Sequence, residues 1–290
     1  MLPFSMRYSV RIWVTGAKGM VGSAALKRLG AHGVGTGREV DIADERQVAS
    51  FLKNNGPFTH IFNCAAYSKV DDAELERQEA MRVNGLGPAC LGMFARAQNI
   101  QMVHLSTDYV FSGAEKRPYR EEDETAPCGY YGLTKLEGEK KLQESNPDCC
   151  IIRTSWVFGI GGKNFVVKAL DMLKTQPALR IVEDQTSRFT YAPDLVEAMM
   201  QMKDQSGLYQ FANDEAGNKY QFILELQKQA LKKGVSLQCT KIEPVTSDAF
   251  AALAKRPLFS AMSTEKIEAL LQKRPRSWRE ALQEYVERYA

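Results

Sequence analysis

The fold is decided by a glycine-rich stretch near the start of the chain, which reads Thr15-Gly16-Ala17-Lys18-Gly19-Met20-Val21-Gly22. It follows an alternating apolar run over residues 10–14 that predicts a strand, and it opens a predicted helix over residues 20–31. Gly16 permits a tight turn, Gly19 lets the backbone approach a ligand, and Gly22 lets the helix lie close to the sheet. A strand, a glycine turn and a helix N-terminus together present backbone N–H groups to a pyrophosphate. The stretch therefore predicts a dinucleotide site.

Strand and helix continue to alternate along the next 120 or so residues. Further strands are predicted over residues 33–37, 60–65, 102–106 and 150–154, and helices over 44–54 with Asp44 as N-cap, 79–98 and 131–145. Later helices are predicted over 165–174, 192–201, 219–233, 264–271 and 277–289, with a strand over 179–182. Repeated β-α units predict an α/β fold, a Rossmann-type doubly wound parallel sheet. We expect residues 1–158 to form the NAD(P)-binding domain and residues 159–290 a smaller α/β substrate domain, partly interleaved with the first.

The composition limits which binding partners and which cell compartment we expect. The 38 Lys and Arg residues nearly balance 35 Asp and Glu, so the net charge of +3 lacks the excess with which proteins bind nucleic acid. No apolar run approaches the ~18 residues that span a bilayer, so we expect no membrane partner and a cytoplasmic location. The six cysteines contain no C-x-x-C pair, which fits a reducing compartment. The three histidines are not spaced as a metal-binding pair, so a histidine metal site is not expected.

The residues after the second predicted strand bear on cofactor choice. An acid at this place accepts from the ribose of NAD, whereas an arginine pairs with the 2′-phosphate of NADP. Arg38 occupies the position and Asp41 competes with it. We predict a preference for NADPH, with NADH as the alternative. The competing explanation is that Arg38 is a basic residue at the surface that binds no cofactor.

Tyr131 and Lys135 form the candidate catalytic pair. Tyr131 is the one tyrosine of eleven that has a lysine four residues later, and one helical turn places both side chains on the same face. A lysine roughly 5 Å away would lower the tyrosine pKa from about 10 to about 8. Tyr131 could then act as an acid near neutral pH.

Ser106-Thr107-Asp108 follows the fourth strand, at the edge of the sheet where ligands bind in such folds. A hydroxyl there can polarise a carbonyl group, and we favour Thr107 over Ser106. The competing explanation is a Ser-Thr-Asp turn chosen for its local hydrogen bonds alone.

These segments together resemble a known family. The stretches over residues 14–22, 63–66, 106–111 and 131–135 are similar to those of the extended short-chain dehydrogenase/reductase superfamily. Within it the chain resembles the dTDP-4-dehydrorhamnose reductase family, on segments over residues 65–74, 131–139, 153–158, 164–165 and 184–185. The resemblance is specific over residues 10–190 and weaker beyond.

The resemblance implies hydride transfer from NADPH to C4 of a dTDP-linked 4-keto-6-deoxyhexose, which yields dTDP-L-rhamnose. Tyr131 would protonate the new alkoxide, Lys135 would hold the nicotinamide ribose, and Thr107 would bond the carbonyl oxygen. The other implied cofactor contacts are Gly16, Lys18, Gly19, Met20, Val21, Gly22, Arg38, Asp41, Ile42, Cys64, Ala65, Ala66 and Tyr67. The implied substrate contacts are Val70, Asp108, Tyr109, Trp156 and Asn164, the last closing on the diphosphate. A homodimer fits the family, and a role for Mg²⁺ stays undecided.

Two departures leave the substrate open. The usual Asp-Gln-x-Gly-x-Pro-Thr segment reads Asp184-Gln-Thr-Ser-Arg-Phe-Thr190 here, and a late Arg-Pro-Gly-Asn-Ser segment reads Arg256-Pro-Leu-Phe-Ser260. The first is closer to the regulatory β subunit of methionine adenosyltransferase, a relative that serves another enzyme. A regulatory subunit and a reductase of another nucleotide-linked 4-keto sugar are therefore the alternatives.

Overall fold

The computed structural model describes residues 10–161 and 165–289 of the chain. The strands in these ranges are β1 (Ile12–Thr15), β2 (Gly33–Thr36), β3 (His60–Asn63), β4 (Gln101–Thr107), β5 (Cys150–Thr154), β6 (Val157–Phe158), β7 (Ala178–Val182), β8 (Thr186–Arg188), β9 (Thr190–Tyr191), β10 (Gly207–Gln210), β11 (Ala216–Asn218) and β12 (Lys241–Val245). The helices are α1 (Met20–Leu29), α2 (Glu45–Asn55), α3 (Arg77–Met81), α4 (Gly87–Ala97), α5 (Tyr130–Ser145), α6 (Phe165–Thr175), α7 (Ala192–Met202), α8 (Lys219–Lys232), α9 (Glu265–Leu271) and α10 (Trp278–Tyr289).

Six parallel strands form the central sheet, in the order β10-β5-β4-β3-β1-β2. The chain moves outward from β1 in both directions, so the connections diverge between β1 and β3. In open α/β sheets that divergence opens a crevice at the carboxyl ends of the strands, where ligands bind. The predicted Rossmann-type doubly wound fold is confirmed.

Helices cover both faces of this sheet because alternate strand residues point to opposite sides. Ile12 and Val14 pack with α1 and α7 on one face, whereas Trp13 packs with α2, α4 and α5 on the other. Asp44 caps α2 as predicted, since its carboxylate accepts from the backbone N–H groups of Arg46 and Gln47. Among the helices over residues 10–161 and 165–289, none has the length and apolar character that crossing a bilayer requires.

The sheet is completed by residues far along the chain. β10 pairs with β5 and α7 packs beside α1, although both follow residue 158. No strand was predicted over residues 207–210, because Gly207-Leu-Tyr-Gln is short and begins with a glycine at φ +104°. The predicted helix over residues 79–98 is likewise interrupted by a π-helical turn, Arg82–Leu86, between α3 and α4.

A second apolar core lies beyond the sheet. Phe158, Phe189, Phe222 and Trp278 pack as an aromatic cluster, with Phe189 and Phe222 ring centroids 4.4 Å apart. Residues 253–263, called the strap below, then run back toward the sheet. The strap pairs with β8 at Phe259 and with Tyr119 at Met262. It therefore brings the late part of the chain to the carboxyl edge of β4.

Candidate active site

The glycine turn after β1 is built by close backbone contacts. Gly16 has φ +64°, and a Cβ there would lie 2.6 Å from the carbonyl oxygen of Cys64. A Cβ on Gly22 would lie 2.3 Å from the carbonyl oxygen of Gly16, so α1 fits tightly against the turn. The predicted conformational demands on these two glycines are confirmed.

The N-terminus of α1 is suited to an anion. In the described part of the chain no side chain caps this helix, and its first turn contains no acidic residue. The N–H groups of Met20 and Val21 therefore have no carboxylate competing with a phosphate, and the helix dipole favours negative charge there. Gly19, the N-cap, carries no side chain in front of them. These residues fit the pyrophosphate of a dinucleotide.

The segment after β3 forms the next wall of the crevice. Cys64 and Ala65 lie against Gly16, and burial raises the pKa of the Cys64 thiol to about 12. Tyr67 is held by Asn84 of the π-helical turn, which accepts from its N–H at 2.8 Å and donates to its carbonyl oxygen at 3.0 Å. Asn84 was not predicted; its signal was a polar residue beside Gly85 inside the predicted helix over residues 79–98.

Arg38 and Asp41, the two residues expected to determine cofactor choice, follow β2 and differ in their contacts. Asp41 pairs with Arg82 and accepts from the N–H of Ala43 at 3.0 Å. Arg38 is exposed, and the described residues offer it no hydrogen bond or ion pair. Glu39 instead accepts from Gly37 N–H at 2.6 Å and pairs with Lys18. The hydrogen bond from Gly37 and, to a smaller extent, the contact with Lys18 lower the pKa of the Glu39 carboxyl to about 2.

Ile42, expected beside the adenine, is 5% exposed and packs in the core with α2 and α4. Its Cδ1 would lie 2.6 Å from a Cβ on Gly87. Ile42 therefore contributes packing to the wall behind Asp41.

The catalytic candidates meet where β4 ends and α5 begins. A Cβ on Gly132 would lie 2.1 Å from the Tyr109 carbonyl oxygen, so the first turn of α5 packs directly on the segment after β4. The hydroxyl of Thr107 donates to Asp108 at 3.2 Å and accepts from Tyr109 N–H at 3.2 Å. The Tyr109 and Tyr131 rings are edge to face at 5.8 Å.

The electrostatics of Tyr131 differ from the expectation. Burial raises the pKa of Tyr131 to about 12, helped by the charge of Asp108, and only the Thr107 hydroxyl opposes this shift. Lys135 instead donates to the carbonyl oxygen of Leu105 at 2.7 Å, and burial lowers its own pKa to about 8. The predicted lowering of the tyrosine pKa by Lys135 is therefore wrong for this arrangement, because α5 directs the lysine into the sheet.

Asp108 joins β4 to the strap. It is 1% exposed and accepts from Ser260 at 2.5 Å and from Ser187 at 3.0 Å. Burial raises the pKa of this carboxyl to about 6, although the three hydroxyl donors oppose the shift. Over residues 10–161 and 165–289, no group of three or more His, Cys, Asp or Glu side chains is arranged to hold a metal ion.

The substrate side of the crevice carries aromatic and cationic groups. Trp156 has φ +39°, and its ring lies 5.2 Å from the Lys219 Nζ. Arg256 of the strap makes a bidentate pair with Asp71, at 2.6 and 3.1 Å, beside Tyr109. Neither Lys219 nor Arg256 was predicted as a contact, although Arg256 begins a segment noted above.

The two remaining predicted substrate contacts are Val70 and Asn164. Val70 is half-buried, one residue before Asp71. Asn164 lies outside the described residues.

A parallel sheet with a glycine turn at its divergence point, and a tyrosine-lysine pair at its carboxyl edge, defines the extended short-chain dehydrogenases/reductases, oxidoreductases that use a nicotinamide cofactor. The family model named RmlD substrate binding domain matches residues 10–290. The chain belongs to this family.

Individual relatives match over nearly their whole length. The spore coat polysaccharide biosynthesis protein SpsK of Bacillus subtilis is 36% identical, with 96% of this chain and 97% of that protein covered. The dTDP-4-dehydrorhamnose reductase of Mycolicibacterium smegmatis is 35% identical, with coverage of 95% and 85%. Among solved structures, the dTDP-4-dehydrorhamnose reductase of Bacillus anthracis in complex with NADP superposes with a TM-score of 0.90 at 28% identity, with coverage of 97% and 100%.

Proposed function

We propose that this chain is a dTDP-4-dehydrorhamnose reductase, which uses NADPH to reduce the C4 keto group of dTDP-4-dehydro-L-rhamnose to dTDP-L-rhamnose. The observation that carries the proposal is the position of Tyr131 at the carboxyl end of β4, where its ring meets the Tyr109 ring edge to face at 5.8 Å and the first turn of α5 packs on the segment after Thr107. Relatives named for this activity match most of the chain.

The dinucleotide would be held by the turn Gly16–Gly22, by Cys64, Ala65, Ala66 and Tyr67 after β3, and by Lys135. When bound, the reduced nicotinamide supplies the hydride. Arg38 is exposed and unpaired within the described ranges, whereas Asp41 is engaged by Arg82. A guanidinium free to bind favours a 2′-phosphate, so we assign the preference to NADPH over NADH.

Tyr131 donates the proton in this reaction. Because burial raises the pKa of its hydroxyl to about 12, Tyr131 stays protonated across the neutral range and holds the proton that the product oxygen needs. Thr107 positions that hydroxyl and is itself oriented by Asp108. The carbonyl oxygen would accept from Tyr131, and from Thr107 once the hydroxyl hydrogen of Thr107 turns from Asp108 to the substrate.

The substrate would lie between this edge and the second core. Tyr109 and Trp156 offer apolar faces to the sugar, and Val70 and Asn164 stay predicted contacts. We propose that residues 1–158 bind the dinucleotide and that residues 159–290 supply the sugar side, with β10 and α7 returning to the first unit. A homodimer and a cytoplasmic location stay predictions.

The test follows the nicotinamide absorbance of purified protein with NADPH and the dTDP-linked keto sugar. We expect turnover in the wild type and a kcat lower by about 10² to 10⁴-fold in Tyr131→Phe, which removes the acid and keeps the ring. Tyr130→Phe is the matched control, since the Tyr130 ring packs against Arg77 at 4.9 Å. Near wild-type turnover in Tyr131→Phe would show that Tyr131 is not the proton donor. No turnover with any nucleotide-linked keto sugar, together with co-purification of a transferase, would favour a regulatory subunit.

A further inference from the structure

A line of buried polar side chains connects the glycine turn to Lys135. The hydroxyl of Thr15 at the end of β1 lies 2.7 Å from Asn63 Oδ1, and Asn63 Nδ2 lies 2.9 Å from His104 Nδ1. His104 Nε2 in turn lies 3.5 Å from the Lys135 Nζ. All four side chains are at most 2% exposed, so each must find its hydrogen-bond partners among the others and the nearby backbone.

The backbone decides which way the Asn63 amide faces. The N–H of Ala65 can only donate, and it is shared between Asn63 Oδ1 at 3.2 Å and the Thr15 hydroxyl oxygen at 3.3 Å. The Thr15 hydroxyl donates to the same oxygen. The opposite end of the amide is therefore the NH2 group, which can only donate, so His104 Nδ1 must accept. A neutral imidazole that accepts at Nδ1 carries its hydrogen on Nε2.

That Nε2–H group faces Lys135. An ammonium has three hydrogens and no lone pair, so it would set donor against donor. A neutral amine accepts from Nε2–H and still donates to the Leu105 carbonyl oxygen at 2.7 Å. Burial and the nearby lysine lower the pKa of His104 well below its ordinary range, so a compensating imidazolium does not form.

Few other titratable groups adjoin Lys135. On α5 itself, the carboxylate of Glu139 favours the charged lysine, but Glu139 is held by Arg153 of β5 through two hydrogen bonds at 2.9 and 2.7 Å. The Cys64 thiol after β3 acts in the same direction. Burial outweighs both and lowers the pKa of Lys135 to about 8. Tyr131, the proposed acid, lies one turn earlier on α5.

We propose that Asn63 and His104 are positioning residues that prepare Lys135 to give up its proton: Asn63 sets the imidazole tautomer, and His104 Nε2–H stabilises the amine that remains. The part that this proton plays in catalysis rests on the proposed function. After Tyr131 gives its proton to the product oxygen, the Lys135 ammonium leaves the Leu105 carbonyl oxygen and gives a proton to the tyrosinate, which lies one turn earlier on α5. The neutral lysine then accepts from His104 and later regains a proton from solvent.

The tautomer is measured directly by NMR of the wild-type protein labelled with ¹⁵N in its three histidines. His104 is identified by elimination, using His32→Gln and His60→Gln. We expect a neutral Nε2–H imidazole from about pH 6 to 9. An Nδ1–H tautomer or an imidazolium would overturn the inference. This result does not depend on any substrate, so failure of the proposed function stays distinguishable.

The consequence for Lys135 is tested with Asn63→Asp. A carboxylate accepts from Nδ1–H, which reverses the tautomer and presents the Nε2 lone pair to the lysine. We expect the limb of the kcat pH profile that reports Lys135 to move upward by about one pH unit. Asn146→Asp places a carboxylate at another buried position, at the far end of α5, and should leave the limb in place. Loss of activity at all pH values without a shift would assign Asn63 a structural role only. If Asn63→Asp does not fold, the tautomer measurement alone decides.

Discussion

The glycine turn and the strap both close on the same crevice, but different forces hold them there. The turn is held by backbone against backbone, with the Cβ positions of Gly16 and Gly22 blocked by carbonyl groups at 2.6 and 2.3 Å. The strap is held by side chains, through Arg256 to Asp71 and Ser260 to Asp108. A backbone contact demands one residue type, whereas a side-chain contact can be built in several ways. The sequence therefore predicts the glycine turn but does not predict the contacts of the strap.

The largest effect should come from Gly22→Ala. Its new methyl group would meet a backbone carbonyl that cannot move without displacing the turn, so we expect a loss of about 3 kcal/mol in the free energy of unfolding. Gly19→Ala is the control, since its Cβ would meet only the Gly16 oxygen at 3.1 Å and its φ of −79° suits alanine. Urea unfolding of both variants measures the difference. Equal losses would show that the turn is not set by this contact.

On the strap side, Asp108→Asn should give a pH-dependent stability. The folded-state pKa of Asp108, about 6, exceeds the unfolded value near 3.8, so the native state loses stability as pH rises from about 4 to about 6. Asparagine removes this cost, and the variant should gain about 2 to 3 kcal/mol over the wild type between pH 4 and pH 7. Urea unfolding at both pH values measures this gain.

Asp123→Asn is the control of opposite sign. Arg117 and the Arg120 N–H hold the pKa of Asp123 at about 2, so its ionised form stabilises the fold above the unfolded value. Its variant should lose stability relative to the wild type as pH rises from about 2 to about 4, and the difference should then stay constant up to pH 7. A pH-independent difference for Asp108→Asn would mean that the carboxyl is not desolvated.

A smaller effect is expected on the cofactor side from Arg38→Ala. Loss of a charge-assisted contact to a 2′-phosphate should weaken NADPH binding about tenfold and leave NADH binding unchanged. Lys53→Ala, at an exposed position on α2, controls for net charge. Cofactor titrations monitored by nicotinamide fluorescence provide the two affinities. An unchanged ratio of NADPH to NADH affinity would assign Arg38 to the surface.

The smallest effect is expected for the pair that holds the strap. The Asp71 side chain is 41% exposed, so solvent screens its attraction to Arg256. A double-mutant cycle of Asp71→Asn and Arg256→Met should give a coupling of about 1 kcal/mol in urea unfolding. A coupling above about 3 kcal/mol would make the strap as rigidly held as the turn.

Much of the fold was predictable because its elements carry local signals. β1, α1 and β5 were predicted to within about two residues at each end, since apolar periodicity and glycine placement identify them. β10 carried no such signal, because its four residues join the sheet only through pairing with β5. The π-helical turn that places Asn84 is also a tertiary feature, formed where α5 packs against it at Gly138.

The residues of the candidate site likewise fall into those that local motifs predict and those that only the fold brings together. Tyr131, Lys135 and Thr107 were identified from motifs on successive elements of one sheet edge. Asp108 was named as a substrate contact, but its bonds to Ser187 and Ser260 join residues 79 and 152 positions apart. No short-range pattern predicts contacts over such separations.

The sequence by itself determined the class of this protein, because a glycine turn and a tyrosine-lysine helix are local solutions to the binding of a pyrophosphate and the placing of an acid. The tertiary structure decided the protonation chemistry. Only burial and contacts between distant strands raise the pKa of Tyr131, direct Lys135 toward His104 and desolvate Asp108. Desolvation depends on everything that surrounds a group, and the surroundings exist only once the chain has folded.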